Sequence, residues 1–90
     1  MEKQWVLYML ECGDGTLYTG ITDDLPRRLS AHAQGKGAKY TRGRGPLTLR
    51  YVEQCTDRSS ALKLEYRMKQ RTRGEKLALI REKGISEEIK

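Results

Sequence analysis

The chain has 90 residues, 37% hydrophobic and 33% charged, enough for one compact domain and one core, and with no long polar repeat it is not a disordered chain. Its 18 Lys and Arg against 12 Asp and Glu give a formal net charge of +6, which points to a polyanionic partner such as nucleic acid. No apolar run suits a membrane span or a signal peptide, and Cys12 and Cys55 stand in no CxxC or His-Cys cluster, so a membrane, a zinc site and a redox pair are set aside and reduced thiols in a cytoplasmic protein are expected.

Residues 5–10, WVLYML, form an unbroken apolar run, the pattern of a strand buried on both faces at the middle of a sheet. Val6, Tyr8 and Leu10 fall on one face, with Trp5, Leu7 and Met9 on the other. The next segment, ECGDGT, carries an Asp-Gly hairpin signal, and residues 17–21 return as a second strand. Tyr8 and Tyr18 therefore belong to neighbouring antiparallel strands. Asp23 and Asp24 before Leu25 and Pro26 mark a helix start, and Gly35 stops that helix after about Gln34.

GKGAKYTRGRG, residues 35–45, reads as a loop. Residues 47–55 alternate as a third strand with one more polar face. Thr56 or Asp57 caps a longer helix over 58–72, with an apolar stripe of Ala61, Leu62, Leu64 and Met68 and a basic remainder that includes Arg58, Lys63, Arg67 and Arg71. A last amphipathic helix follows Gly74, carries Leu77, Ala78 and Ile80, and stops at Gly84. The expected fold class is α/β of the α+β kind, a small three-stranded, largely antiparallel sheet flanked by helices in the order β-β-α-β-α-α. One domain spans 1–84, and 85–90 is a charged tail.

Arg28 and His32 lie one turn apart on one face of the first helix. Together they suit one phosphate, the guanidinium through forked charged hydrogen bonds and the imidazole as a proton relay, although a solvated pair has the same spacing. Glu65 is out of place: the helical period sets its carboxylate beside an apolar stripe. It needs a partner there, either an arginine from the sheet or first helix, or a metal ion such as Mg²⁺, which is often held by one or two carboxylates. Each tyrosine alone is an ordinary core aromatic. Beside Arg, His and Glu, a phenol whose pKa is lowered by nearby cations can take a proton from water while a second phenol holds that water or a phosphate. In the loop, Lys36, Lys39, Arg42 and Arg44 can neutralise backbone phosphates and Tyr40 can stack on a base, with Lys69 of the second helix as a further contact.

In this order the residues resemble the GIY-YIG nuclease domain, and more closely its small stand-alone bacterial members of the UPF0213 kind. Val6-Leu7-Tyr8 stands for the first signature tripeptide and Tyr18-Thr19-Gly20 for the second. Arg28 follows at the family's spacing with His32 a turn later, and Glu65, in ALKLEYRMK, stands where the family has its metal-binding glutamate. The resemblance implies metal-dependent hydrolysis of phosphodiester bonds. It implies one Mg²⁺ or Mn²⁺ on Glu65, Tyr8 as general base assisted by Tyr18 or His32, and Arg28 steadying the pentavalent phosphorus. Val6 and Thr19 replace the family's glycine and isoleucine, and Tyr40 stands where some members have histidine. The expected function is an endonuclease acting on DNA in repair or in processing unusual structures, as a monomer or weak dimer without a small-molecule cofactor. The alternatives are a non-catalytic nucleic-acid-binding module and a domain whose basic face meets an acidic protein.

Overall fold

The apolar run becomes β1 (Val6–Glu11), which is hydrogen-bonded on both sides, to β2 (Leu17–Thr22) and to β3 (Leu47–Gln54), in each case antiparallel. The computed structural model describes residues 4–36 and 41–89. Three helices complete it, α1 (Leu25–Ala33), α2 (Arg58–Gln70) and α3 (Arg73–Lys83), together with a last short strand, β4 (Glu87–Ile89). Sheet order is β2-β1-β3-β4.

Residues 6–10 are all buried because both faces of the central strand are covered. Leu7 and Met9 pack with Tyr51, Cys55, Ala61, Met68 and Ile80 beneath α2 and α3. Tyr8 and Leu10 pack with Cys12, Leu47 and Leu49, and Leu25 and Leu29 of α1 close that side. Tyr8, Leu7, Met9 and Leu10 are the largest fully buried side chains, each worth about 1.5–3 kcal/mol of apolar burial. Both cysteines are free and buried, and among the described residues no helix is long and apolar enough to cross a membrane.

The connections follow their local chemistry. Gly15, at φ +88°, turns the hairpin, and Asp14 Oδ1 accepts from the Thr16 amide and hydroxyl at 3.1 and 2.7 Å. Asp24 caps α1 by accepting from Arg27 N at 3.3 Å, with Pro26 in the first turn. The basic loop is anchored to the hairpin turn, since Gly13 N donates to Arg44 O and the Arg44 guanidinium pairs with Asp14, both at 2.6 Å.

Three expectations are corrected. The sheet has four strands rather than three: residues 87–89, expected in the charged tail, pair with β3, with Leu47 opposite Ile89, and Ile89 packs on the Tyr8 cluster. A three-residue strand with two glutamates shows no hydrophobic period. Next, α3 starts before Gly74, because Thr72 and Glu75 form a reciprocal capping box that outweighs the glycine. Finally, Leu62 is exposed; α2 buries Ala61 and Met68 with Leu64 beside them, and Leu62 falls off that stripe.

Gly20 lies opposite Tyr8 across the β1/β2 pair, and a Cβ there would stand 2.8 Å from the Tyr8 hydroxyl and 2.9 Å from its Cζ. The ring is fixed in the core and has nowhere to go. Gly20→Ala is expected to destabilise the fold by about 1–3 kcal/mol in urea denaturation. An unchanged midpoint would show that the ring has room to move.

Candidate active site

Register puts Tyr8 opposite Gly20 and Leu10 opposite Tyr18, so the two phenols project from the same face of the sheet on neighbouring strands. Their ring centroids are 6.2 Å apart. The capped start of α1 fixes which of its side chains meet that face. Arg28 and His32, one turn apart, both turn to the Tyr8 hydroxyl: Arg28 Nε donates to it at 3.3 Å, and His32 Nε2 lies 2.8 Å away. The imidazole meets both phenols edge-on, with centroids 5.7 Å from Tyr8 and 5.4 Å from Tyr18. Its other nitrogen, Nδ1, is 2.9 Å from Thr41 Oγ1.

Tyr8 is fully buried and His32 nearly so. Burial pushes the Tyr8 phenol up to about 12, against the opposing pull of the Arg28 hydrogen bond. The sequence reading expected nearby cations to lower a phenol's pKa; at Tyr8 the loss of water is the larger effect. His32 is driven down to about 4, first by burial and then by the Arg28 charge. Near neutral pH the imidazole is therefore uncharged and the phenol keeps its proton. Assigned from these bonds, Tyr8 donates to Nε2, Nδ1–H donates to Thr41, and the phenol oxygen accepts from Arg28. The hydroxyl thus has a proton acceptor on one side and a fixed cation on another.

The structure brings Tyr8, Tyr18, Arg28 and His32 together, but it turns His32 inward rather than toward an external phosphate, because both of its nitrogens are engaged inside. Tyr18 is half-buried and is the phenol with a side toward solvent. Glu65 lies on α2, which packs against β2 and β1. Its partner is neither an arginine nor a member of the tyrosine cluster but Lys69, one turn on, at 3.5 Å. Among the described residues no group of three or more His, Cys, Asp or Glu could hold a metal. A single carboxylate with 22% of its side chain exposed, held only by a flexible lysine, fits a hard, largely hydrated ion of the Mg²⁺ type.

Lys36 and Arg42 of the loop are exposed. Arg44 is paired with Asp14 and so anchors the loop, while Lys39 and Tyr40 lie outside the described residues. Lys69 lines a cleft with Leu17, Tyr18, Thr19 and Lys76. Sequence reasoning missed Thr41 and Lys76. Thr41 sits in a loop with no periodicity to place it, and Lys76 looks like one more exposed cation of an amphipathic helix.

Residues 4–78 match the GIY-YIG catalytic domain. A UPF0213 protein of Oceanobacillus iheyensis is 52% identical over 80 residues, which cover 89% of this chain and 93% of that protein. A UPF0213 protein of Halobacterium salinarum is 53% identical over 73 residues, covering 81% of this chain and 95% of the other. Among solved structures, the solution NMR structure of a UPF0213 protein from Bacillus halodurans has a TM-score of 0.60 at 46% identity, covering 90% of this chain and 86% of that one. The solution NMR structure of a protein from E. faecalis has a TM-score of 0.62 at 39% identity, covering 90% and 88%.

His32 carries a pH signature. Its pKa is below the ordinary 6.5 in the folded protein, so the unfolded chain binds the extra proton first; stability is full above pH 6.5 and is lost as pH falls from 6.5 toward about 4. At ~1.4 kcal/mol per unit of difference, the loss between neutral pH and about pH 4.5 is about 2–3 kcal/mol. Denaturant titrations at neutral pH and at about pH 4.5 should show it in the wild type and show a flatter dependence in His32→Gln. Parallel pH dependences in the two proteins would place the titrating group elsewhere.

Proposed function

The chain belongs to the GIY-YIG family of nucleases, and from that premise we propose that it is a divalent-metal-dependent endonuclease that hydrolyses phosphodiester bonds in DNA, in repair or in the processing of unusual structures. One observation carries this reading: a cation and a neutral imidazole converge on a single buried phenol, at 3.3 and 2.8 Å. Two polar side chains of one helix are spent on a hydroxyl that packing alone would satisfy with one.

In the proposed reaction, Tyr8 takes a proton from the attacking water as its own proton passes to His32 Nε2. The water oxygen bonds to phosphorus, the bond to the leaving strand's oxygen breaks, and that oxygen takes a proton from solvent. His32 can accept because it is uncharged at neutral pH. Arg28 keeps its charge beside the phenol, where it favours the developing phenolate and faces the charge gathering on the phosphoryl oxygens. Tyr18, half-buried beside Tyr8 and His32, holds the water at the edge of the network. Glu65 would hold one Mg²⁺ or Mn²⁺, and such an ion, when bound, acts as a Lewis acid on the scissile phosphate. Lys36, Lys39, Arg42 and Lys69 contact backbone phosphates, Arg44 holds the loop that presents them, and Tyr40 stacks on a base.

A non-catalytic nucleic-acid-binding module is the second reading, favoured by the complete burial of Tyr8. Cleavage separates the two. Supercoiled plasmid at low salt with Mg²⁺ or Mn²⁺ is expected to be nicked by the wild type and not in EDTA. Glu65→Ala should lose nicking yet bind DNA as well as the wild type in EDTA, since it removes no cation. Arg28→Ala should lower turnover by about a hundredfold or more and weaken binding too. Nicking by Glu65→Ala at the wild-type rate would remove the metal assignment, and binding without nicking by the wild type would establish the module.

A further inference from the structure

Leu17 and Thr19 alternate with Tyr18 along β2, so they point away from the tyrosine cluster, toward the face covered by α2 and α3. There they line a cleft of about 350 Å³ together with Lys69, Lys76 and, at its rim, Tyr18. Among the described residues, no acidic one lines it. Two of its groups lack the partners that their positions call for. Thr19 is 4% exposed, and its hydroxyl has no hydrogen-bond partner, a state that costs about 1–3 kcal/mol for a buried polar group.

Lys76 is half-buried in the first turns of α3, at the positive end of the helix dipole, where a cation is unfavourable. The ion pairs among the described residues are Arg44 with Asp14, Arg50 with Glu11 and Lys69 with Glu65, and none includes Lys76. Lys69 arrives from the last turn of α2 with its side chain 54% exposed, free to swing from Glu65 into the cleft. Two cations from two helices, a helix N-terminal end and a spare hydroxyl all call for an anion.

We propose that this cleft is a phosphate subsite, in which Lys76, Lys69 and the Thr19 hydroxyl hold a backbone phosphate of the nucleic acid beside the one that is cut. The inference rests on the nuclease reading and extends it. A modest side-chain rotation brings the Thr19 hydroxyl to the ligand, and Lys69, drawn onto the phosphate, leaves the Glu65 carboxylate open to a metal ion. Binding of the strand and readiness of Glu65 are thereby coupled through one lysine.

The test is binding without chemistry: anisotropy of a short fluorescein-labelled DNA oligonucleotide, single-stranded and as duplex, titrated in EDTA over a range of salt. Lys76→Ala should bind roughly tenfold more weakly and lower the salt slope by about one. Arg81→Ala removes an equal charge from an exposed position on the same helix and should bind like the wild type. Thr19→Val should be at least as stable as the wild type in urea, because it deletes an unpartnered hydroxyl, and yet bind several-fold more weakly. Lys76→Ala indistinguishable from Arg81→Ala would overturn the subsite, and Thr19→Val with unchanged affinity would remove the hydroxyl from it. Those failures leave wild-type nicking in place, whereas a wild type that neither binds nor cuts would defeat the nuclease reading itself.

Discussion

A phenol hydroxyl buried in the central strand must find its partners inside the protein, and the Tyr8 hydroxyl is such a group. Two of its partners come from one helix, Arg28 and His32 one turn apart, and the demand is passed outward from there. His32, buried in turn, needs a partner for its second nitrogen and finds Thr41 at 2.9 Å. Thr41 belongs to the basic loop, and Arg44 fastens that loop to the hairpin turn through Asp14. Local structure and chemistry meet in this chain of bonds: the cap at Asp24, the missing side chain at Gly20 and the loop anchor all serve to keep one hydroxyl paired.

The central strand divides the protein into two faces with different tasks. Beneath α1 lies the hydrogen-bonded network of Tyr8, Arg28, His32 and Thr41. Beneath α2 and α3 lies an apolar core, with Glu65 and the lysines at its margin. The two sides approach each other at β2, an edge strand of the sheet. Tyr18 belongs to both, meeting His32 edge-on at 5.4 Å while lining the cleft that holds Lys69 and Lys76. Under the proposed reading, a nucleic-acid strand lying along this edge would meet Tyr18, the cations and the carboxylate.

Much of this was legible from residue spacing, and the rest failed for physical reasons. An apolar run without alternation gave a two-faced strand, the Asp-Gly turn put Tyr8 and Tyr18 on neighbouring strands, and four-residue spacing put Arg28 and His32 on one face. Depth was not legible. Spacing gives a direction around a helix but not how far the side chain sinks, so His32 was expected at a phosphate and is found pointing inward, and Tyr8 titrates upward where cations were expected to lower it. The half-buried position of Glu65 followed from the period of α2, while its pairing with Lys69 follows the ordinary one-turn rule. Thr41 and Thr19 act through single hydroxyls, which carry no pattern in a sequence, and β4 is too short to show one.

The role of the Tyr8 hydroxyl is the central claim, and Tyr8→Phe addresses it with the least disturbance. The ring, its packing and the space at Gly20 are kept, and one oxygen is removed. With plasmid DNA and Mg²⁺ or Mn²⁺, the expected result is cleavage slowed by at least about a hundredfold, with DNA affinity in EDTA equal to that of the wild type. Cleavage by Tyr8→Phe at the wild-type rate would contradict the claim and leave the convergence of Arg28 and His32 as a matter of packing alone.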